Sequence, residues 1–227
     1  MDIGIIGLPQ SGKTTVFSAL TNGRVENSGA SGSMTETHLG VVKVPDPRLD
    51  RLAEMFNPKK VVPAEVRYFD LPGLGFMGQS KGITGQQRNV LQTADAFLLV
   101  VRAFTNPAVV HPPGNDDPLR DMESMLGELV FSDLEILDRA AIRIKDGLTK
   151  AKTTEKPGLI RHGDAVAKAK MILEDGKVLR GKEFSDAEML SLADYQLLTF
   201  KPIILAFNTN ESTPEFELAG SDRVEDI

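Results

Sequence analysis

The stretch Ile3-Gly4-Ile5-Ile6-Gly7-Leu8-Pro9-Gln10-Ser11-Gly12-Lys13-Thr14-Thr15 decides the fold. Ile3 to Ile6 is a short apolar run of β type. Gly7 to Thr14 follows it directly, fits the phosphate-binding pattern GxxxxGK[ST], and opens into a helical stretch. Glycines let backbone N–H groups converge on phosphate oxygens, the lysine reaches the β- and γ-phosphates, and the threonine hydroxyl takes one Mg²⁺ position. A plain glycine turn entering a helix explains the glycines but not a lysine and threonine placed after them. The loop therefore names Pro9, Gln10, Ser11, Gly12, Lys13, Thr14 and Thr15 as candidate nucleotide ligands. Thr14 is also a candidate metal ligand, and Lys13 a catalytic one through charge neutralisation.

Outward from the loop, apolar runs at Val41 to Val44, Val66 to Phe69, Phe97 to Val101 and Ile203 to Phe207 read as further strands with helical patterns between most of them. Strands alternating with helices predict an α/β fold with a mostly parallel sheet. Phe97 to Val101 is apolar without alternation, as expected of a strand covered on both faces. Lys43 interrupts its run and marks an edge strand. About a hundred residues separate the fourth and fifth strands, too many for an ordinary crossover. There Met122, Leu126, Leu129, Ile136, Ala140, Ile144 and Leu148 recur at helical spacing. A second helix is predicted over Asp164 to Glu174, after a turn in Thr153 to Gly163. Ser185 with Glu188 forms a capping box that opens a helix through Leu198. The expected organisation is a nucleotide-binding domain over 1–118 and 185–227, with a helical hairpin inserted over 119–184.

Val66 to Phe69 ends in Asp70-Leu71-Pro72-Gly73, a DxxG element at the C-terminal end of a strand, where the sites of α/β sheets lie. Asp70 would hold Mg²⁺ through water and Gly73 would offer its amide to the γ-phosphate. The glycine-rich run Gly75 to Gly85 would then order with triphosphate and relax after hydrolysis. DxxG is weak alone, but 57 residues after Lys13 it points to a nucleotide triphosphatase of the GTPase type. Asn208-Thr209-Asn210-Glu211 closes the last strand where such enzymes place NKxD, and makes Asn208, Asn210 and Glu211 candidate base contacts. Thr209 lacks the lysine stem that packs along the base and Glu211 differs from aspartate in reach, so guanine selectivity should weaken. An Asn-rich turn is the alternative.

Composition sets the limits. The chain has 227 residues, 41% of them hydrophobic, enough for a substantial core, which excludes disorder throughout. It has no cysteine, so disulfides, thiolate metal sites and cysteine nucleophiles are excluded. The longest apolar run, Ala96 to Val101, is far short of the roughly 20 residues that span a bilayer, and the N-terminus does not read as a signal peptide. We expect a cytoplasmic protein with no membrane partner. Net charge is −6, but Arg139 to Lys182 holds twelve Lys and Arg against five Asp and Glu, so this part of the insert is basic and the remainder of the chain acidic.

These motifs together resemble the YchF or Obg-like ATPases, in the Obg branch of the GTPase-fold proteins. The likeness rests on Gly7 to Thr15, Gly40-Val41-Val42 with Pro45 to Leu49, Asp70 to Leu74, Ser80-Lys81-Gly82, and Leu198 to Pro202 before Asn208 to Glu211. It implies a Ras-like G domain carrying a coiled-coil insert, linked to translation, with ATP preferred over or accepted beside GTP. It further implies that Leu74 replaces the water-orienting glutamine of Ras-like enzymes. His111 then either orders water near the γ-phosphate or is a solvated loop histidine; His38 and His162 read as surface residues. Gln10 stands where the family has asparagine, which puts potassium stimulation in doubt. Thr35 or Thr37 would complete the Mg²⁺ shell, with Thr35 favoured. The chain stops soon after Glu211, before the family's last base-contacting segment, final strand and TGS domain, as a fragment would.

The basic insert has two readings. Arg139, Arg143, Lys145, Lys150, Lys152, Lys168 and Lys170 could track phosphates of RNA or the ribosome, or they could be a solvated helix face; aromatic residues for base stacking are few. The expected function is Mg²⁺-dependent purine nucleoside triphosphate binding and slow hydrolysis, ATP preferred, in a ribosome-associated regulator. A GTPase of the same fold and a nucleotide-gated RNA-binding module with negligible hydrolysis are the competing readings.

Overall fold

The computed structural model describes residues 1–23, 38–71, 82–106 and 117–210. Five strands, β1 (Asp2–Ile6), β2 (His38–Lys43), β3 (Glu65–Asp70), β4 (Ala96–Ala103) and β5 (Ile203–Thr209), form one sheet in the order β2-β3-β1-β4-β5. β1 pairs parallel with β3 and β4, and β4 pairs parallel with β5; β2 alone is antiparallel, against β3. The edge strand expected around Lys43 is thus present, beginning earlier, at His38. Helix α1 (Lys13–Leu20) follows β1, α2 (Pro47–Phe56) joins β2 to β3, and α3 (Gly85–Thr93) precedes β4.

The chain between β4 and β5 is dominated by α4 (Pro118–Lys150) and α5 (Lys156–Glu174). The Asp117 carboxylate starts α4 by accepting the Arg120 N–H at 3.1 Å, with Pro118 in the first turn. This helix serves two apolar cores. Met122, Met125 and Leu129 bury against Phe97, Leu99 and Val101 of β4 and Ile203 of β5. One turn further on, Val130, Leu137, Ala140 and Ile144 bury against Ala165, Val166, Ala169 and Leu173 of α5. The alanines on α5 are small enough to let the two helices approach closely.

Two helix boundaries differ from expectation. α5 begins at Lys156 and contains Pro157 and Gly158, so the turn is 151–155 and not Thr153 to Gly163. A proline in the first helical turn forfeits only an N–H that has no intrahelical partner. The Ser185–Glu188 capping box is present, but its helix α6 (Asp186–Leu192) ends six residues early, and 3₁₀ turns follow at Ala193–Tyr195 and Leu198–Phe200. Gln196 takes a left-handed conformation with φ 47°, and Asp133 of α4 draws the Leu198 and Thr199 amides to its carboxylate at 2.9 and 2.8 Å, out of any helical ladder. His162 is not free on the surface: its Nε2 lies 2.8 Å from the Tyr195 hydroxyl.

Candidate nucleotide-binding site

β1 delivers the chain to the C-terminal edge of the parallel strands, and the loop turns there through Gln10 at φ 64° and Gly12 at φ 91°. Left-handed residues beside right-handed ones point successive N–H groups into one concavity, the geometry that receives an anion. Gly12 also opens α1 without a side-chain cap. At Gly7 a Cβ would run into the Val100 backbone carbonyl, and at Gly12, where it would meet only the movable Asn208 side chain, the φ of 91° itself disfavours a larger residue.

Lys13 is 7% exposed and its ammonium turns back onto the loop, donating to the Leu8 carbonyl at 2.8 Å. Burial pushes this amine down to about 8, while the nearby Asp70 carboxylate partly opposes the shift. The Thr14 hydroxyl donates to Asp70 Oδ2 at 2.9 Å. Asp70 is buried at the end of β3, and its Oδ1 has no hydrogen-bond partner among the described residues. An unsatisfied carboxylate oxygen beside a hydroxyl is a hard-oxygen set of the kind Mg²⁺ takes, so these residues fit the ion. Asn208 Nδ2 donates to the Ser11 carbonyl at 3.0 Å, which brings the end of β5 onto the loop.

The structure therefore gathers Pro9 to Thr15, Asp70 and Asn208 around one loop, and places Asn210 exposed just past β5. Thr35, Gly73, His111 and Glu211 lie outside the described residues. Two features escape motif reading. The Ser11 hydroxyl is buried without a partner among the described residues. Arg102, 3% exposed and in register with Asn208, lies behind the loop with Ser11 and Asp121 around one small hollow. The one available signal was a charged residue ending an otherwise apolar parallel strand on the side where sites form.

The basic insert divides by position. Lys168 pairs with Glu188 at 3.0 Å and Lys170 with Asp138 at 2.7 Å, so these two lysines fasten the hairpin. Lys145, Lys150, Lys152 and Lys156 are exposed around its turn.

A family model described as a 50S ribosome-binding GTPase matches residues 2–130. The chain belongs to this family. It is 35% identical over 214 residues to the ribosome-binding ATPase YchF of Haemophilus ducreyi, covering 93% of this chain and 58% of that protein. Against the ribosome-binding ATPase YchF of Bacillus subtilis it is 33% identical over 210 residues, covering 92% and 56%. The structure of the Schizosaccharomyces pombe YchF GTPase matches with a TM-score of 0.76 and 28% identity, over 94% of this chain and 57% of that one. The chain thus spans a little over half the length of the curated relatives it matches. Its P-loop fold and its likeness to YchF agree with the reading of the motifs. No helix among the described residues is long and apolar enough to cross a membrane.

Proposed function

We propose that this chain binds a purine nucleoside triphosphate with Mg²⁺ at the 7–15 loop, prefers ATP, and hydrolyses it slowly as a ribosome-associated regulator in the cytoplasm. The observation that carries the reading is the convergence of a buried Lys13, the Thr14–Asp70 pair and Asn208 on one loop of left-handed backbone.

Thr14 and Asp70 would hold Mg²⁺, with Thr35 completing its shell; bound Mg²⁺ neutralises phosphate charge and orients the phosphoryl oxygens. Lys13 and the loop amides would take up charge that develops on the phosphoryl group, a role suited to an amine already held in a dry site. Gly73 would bond the γ-phosphate, and His111 would order the water that attacks phosphorus as the bond to the diphosphate breaks. ATP preference follows from the NxxE sequence: Asn208 is committed to the Ser11 carbonyl, Thr209 has no lysine stem, and Asn210 and Glu211 are left to meet the base. Gln10, in place of the family's asparagine, removes the reason to expect potassium stimulation. The 119–184 hairpin, with its exposed lysines near the turn, would meet RNA phosphates of the ribosome.

The test is a parallel titration of Mg²⁺ with non-hydrolysable ATP and GTP analogues on this chain and on Lys13→Ala, followed by phosphate release. Tighter ATP binding, weakened about a hundredfold in the variant, is expected; that is roughly 2.7 kcal/mol lost with one charge-assisted contact to phosphate. A clear GTP preference would move the chain to the GTPase reading.

A further inference from the structure

Where α4 passes from one apolar core to the other, one turn of it presents Ser132 and Glu135 to α3 and Asp133 to the segment before β5. Arg88 of α3 donates through Nε to the Ser132 hydroxyl at 2.8 Å and through Nη2 to Glu135 Oε2 at 2.6 Å. Asp133, fully buried, accepts from the amides of Leu198 and Thr199 and from the Thr199 hydroxyl at 2.7 Å. Lys201 then donates back to the Gln92 carbonyl at 2.7 Å and to the Ala94 carbonyl, which closes the C-terminal end of α3. Gln92 itself donates to the Tyr195 carbonyl at 3.1 Å. These bonds make a closed ring from α3 through α4 and residues 195–201 to α3 again.

We propose that this ring is a joint which couples the nucleotide site to the hairpin, with Arg88 as the positioning residue that transmits the coupling. The inference rests on the nucleotide-binding reading of the 7–15 loop. Its argument is geometric. Leu8 of the phosphate loop, Leu71 beside Asp70, and Ile83 and Leu91 at the two ends of α3 bury in one apolar core with Met125 and Leu129 of α4, so a nucleotide that shifts the loop or Asp70 acts on the packing of α3. Arg88 lies in the first turn of α3, and its planar fork engages two side chains three residues apart on α4. A lysine or a leucine could not fix both translation and rotation of one helix against the other. Ser132 is buried, so its bond to Arg88 is poorly replaced by water when α3 moves, whereas the Glu135 end of the contact is half exposed; α4 must follow α3 or lose the buried bond. Beyond Glu135 the helix continues for about 22 Å, which amplifies a shift of about 1–2 Å at the joint into a larger displacement at the hairpin turn.

The chain has no cysteine, so thiol-directed spin labels report only introduced positions. Labels on Lys43→Cys at the end of β2 and Lys152→Cys at the hairpin turn give the distance across the joint. It would be measured by pulsed electron resonance with Mg²⁺–ADP and with Mg²⁺ and a non-hydrolysable ATP analogue. The expected result is a distance that differs by several ångströms between the two nucleotides, and a loss of most of that difference in Arg88→Leu while both nucleotides still bind. Should Arg88→Leu not fold, Arg88→Lys and Glu135→Gln serve, each expected to retain only part of the change. Arg67→Ala, which breaks an ion pair between β1 and β3 away from the ring, should retain all of it. If both nucleotides bind and the distance is constant, or if the arginine variants keep the full change, the joint is overturned and the nucleotide reading stands. If neither nucleotide binds, both fall together.

Discussion

Asn208 reaches from the end of β5 to the Ser11 carbonyl of the phosphate loop at 3.0 Å, across 197 residues of sequence. The last described strand therefore holds the first loop. Asn208→Ala frees that carbonyl and loosens the loop, and should weaken triphosphate binding about five- to tenfold, the equivalent of one ordinary hydrogen bond of about 1 kcal/mol. Titration with the ATP analogue checks this; an unchanged Kd would show that the loop holds its shape alone.

Lys13 should make triphosphate binding depend on pH. Its amine titrates at about 8 in the folded chain because it is buried, against an ordinary 10.5. A triphosphate needs the ammonium, so above pH 8 binding must take up a proton, and affinity should fall by up to tenfold per pH unit. Calorimetric titration at pH 7 and 9, in buffers of different ionisation enthalpy, would show uptake at pH 9 and little at pH 7.

The same shift has a sign in stability. Between pH 8 and 10.5 the unfolded chain binds the Lys13 proton more tightly than the folded one, so stability gains from this group as pH rises through that window. Below pH 8 the buried charge costs about 3 kcal/mol. Lys13→Met should therefore raise the denaturation midpoint at pH 7 and lose that advantage above pH 10.5, while weakening nucleotide binding about as much as Lys13→Ala.

Ser11 carries a buried hydroxyl with no partner among the described residues. Ser11→Ala removes it and should stabilise the chain by about 1 kcal/mol, with nucleotide affinity within about twofold because the loop binds through its backbone. Thermal unfolding decides; a lower midpoint would mean that the hydroxyl is satisfied.

Asp133 behaves oppositely to an exposed carboxylate. Burial raises it to about 6, against the bonds from Thr199 and Leu198 and the nearby Arg88, which favour its ionised form. Between its ordinary value of 3.8 and about 6 the folded chain holds the proton more tightly, so this group's contribution falls as pH rises through that window. The stability of the wild type relative to Asp133→Asn should shrink by about 2–3 kcal/mol from pH 4 to pH 6. Urea unfolding at both pH values measures it, and a difference that grows with pH would overturn the assignment.

The sheet was legible because its evidence is local. Apolar runs mark strands, the glycine-rich loop fixes where the first strand ends, and Lys43 marks the edge. The hairpin was legible from its apolar spacing, but the turn expected over Thr153 to Gly163 runs too far, because Pro157 and Gly158 within it sit in the first turn of α5, where a proline costs no helical bond. The early end of α6 was beyond local reading altogether: Asp133, some 65 residues before, takes the amides that would have continued the helix. At the site, residue types predicted what meets at Lys13, Thr14 and Asp70. The buried surroundings of Ser11 and Arg102 depend on strands brought together by the fold, and no short motif encodes them.

The long helix that enters both apolar cores also bears on the order in which the molecule is built. β4 and β5 lie side by side and parallel, yet about a hundred residues separate them, a closure that is slow when the intervening chain is loose. α4 and α5 pair with near neighbours in sequence and need no distant strand to do so. During synthesis they are complete before β5 emerges, and Asp133 already stands on α4 where Leu198 and Thr199 must arrive. The hairpin thus shortens the search of β5 for its place, and Asp133→Asn or a longer 151–155 turn should slow refolding more than it speeds unfolding.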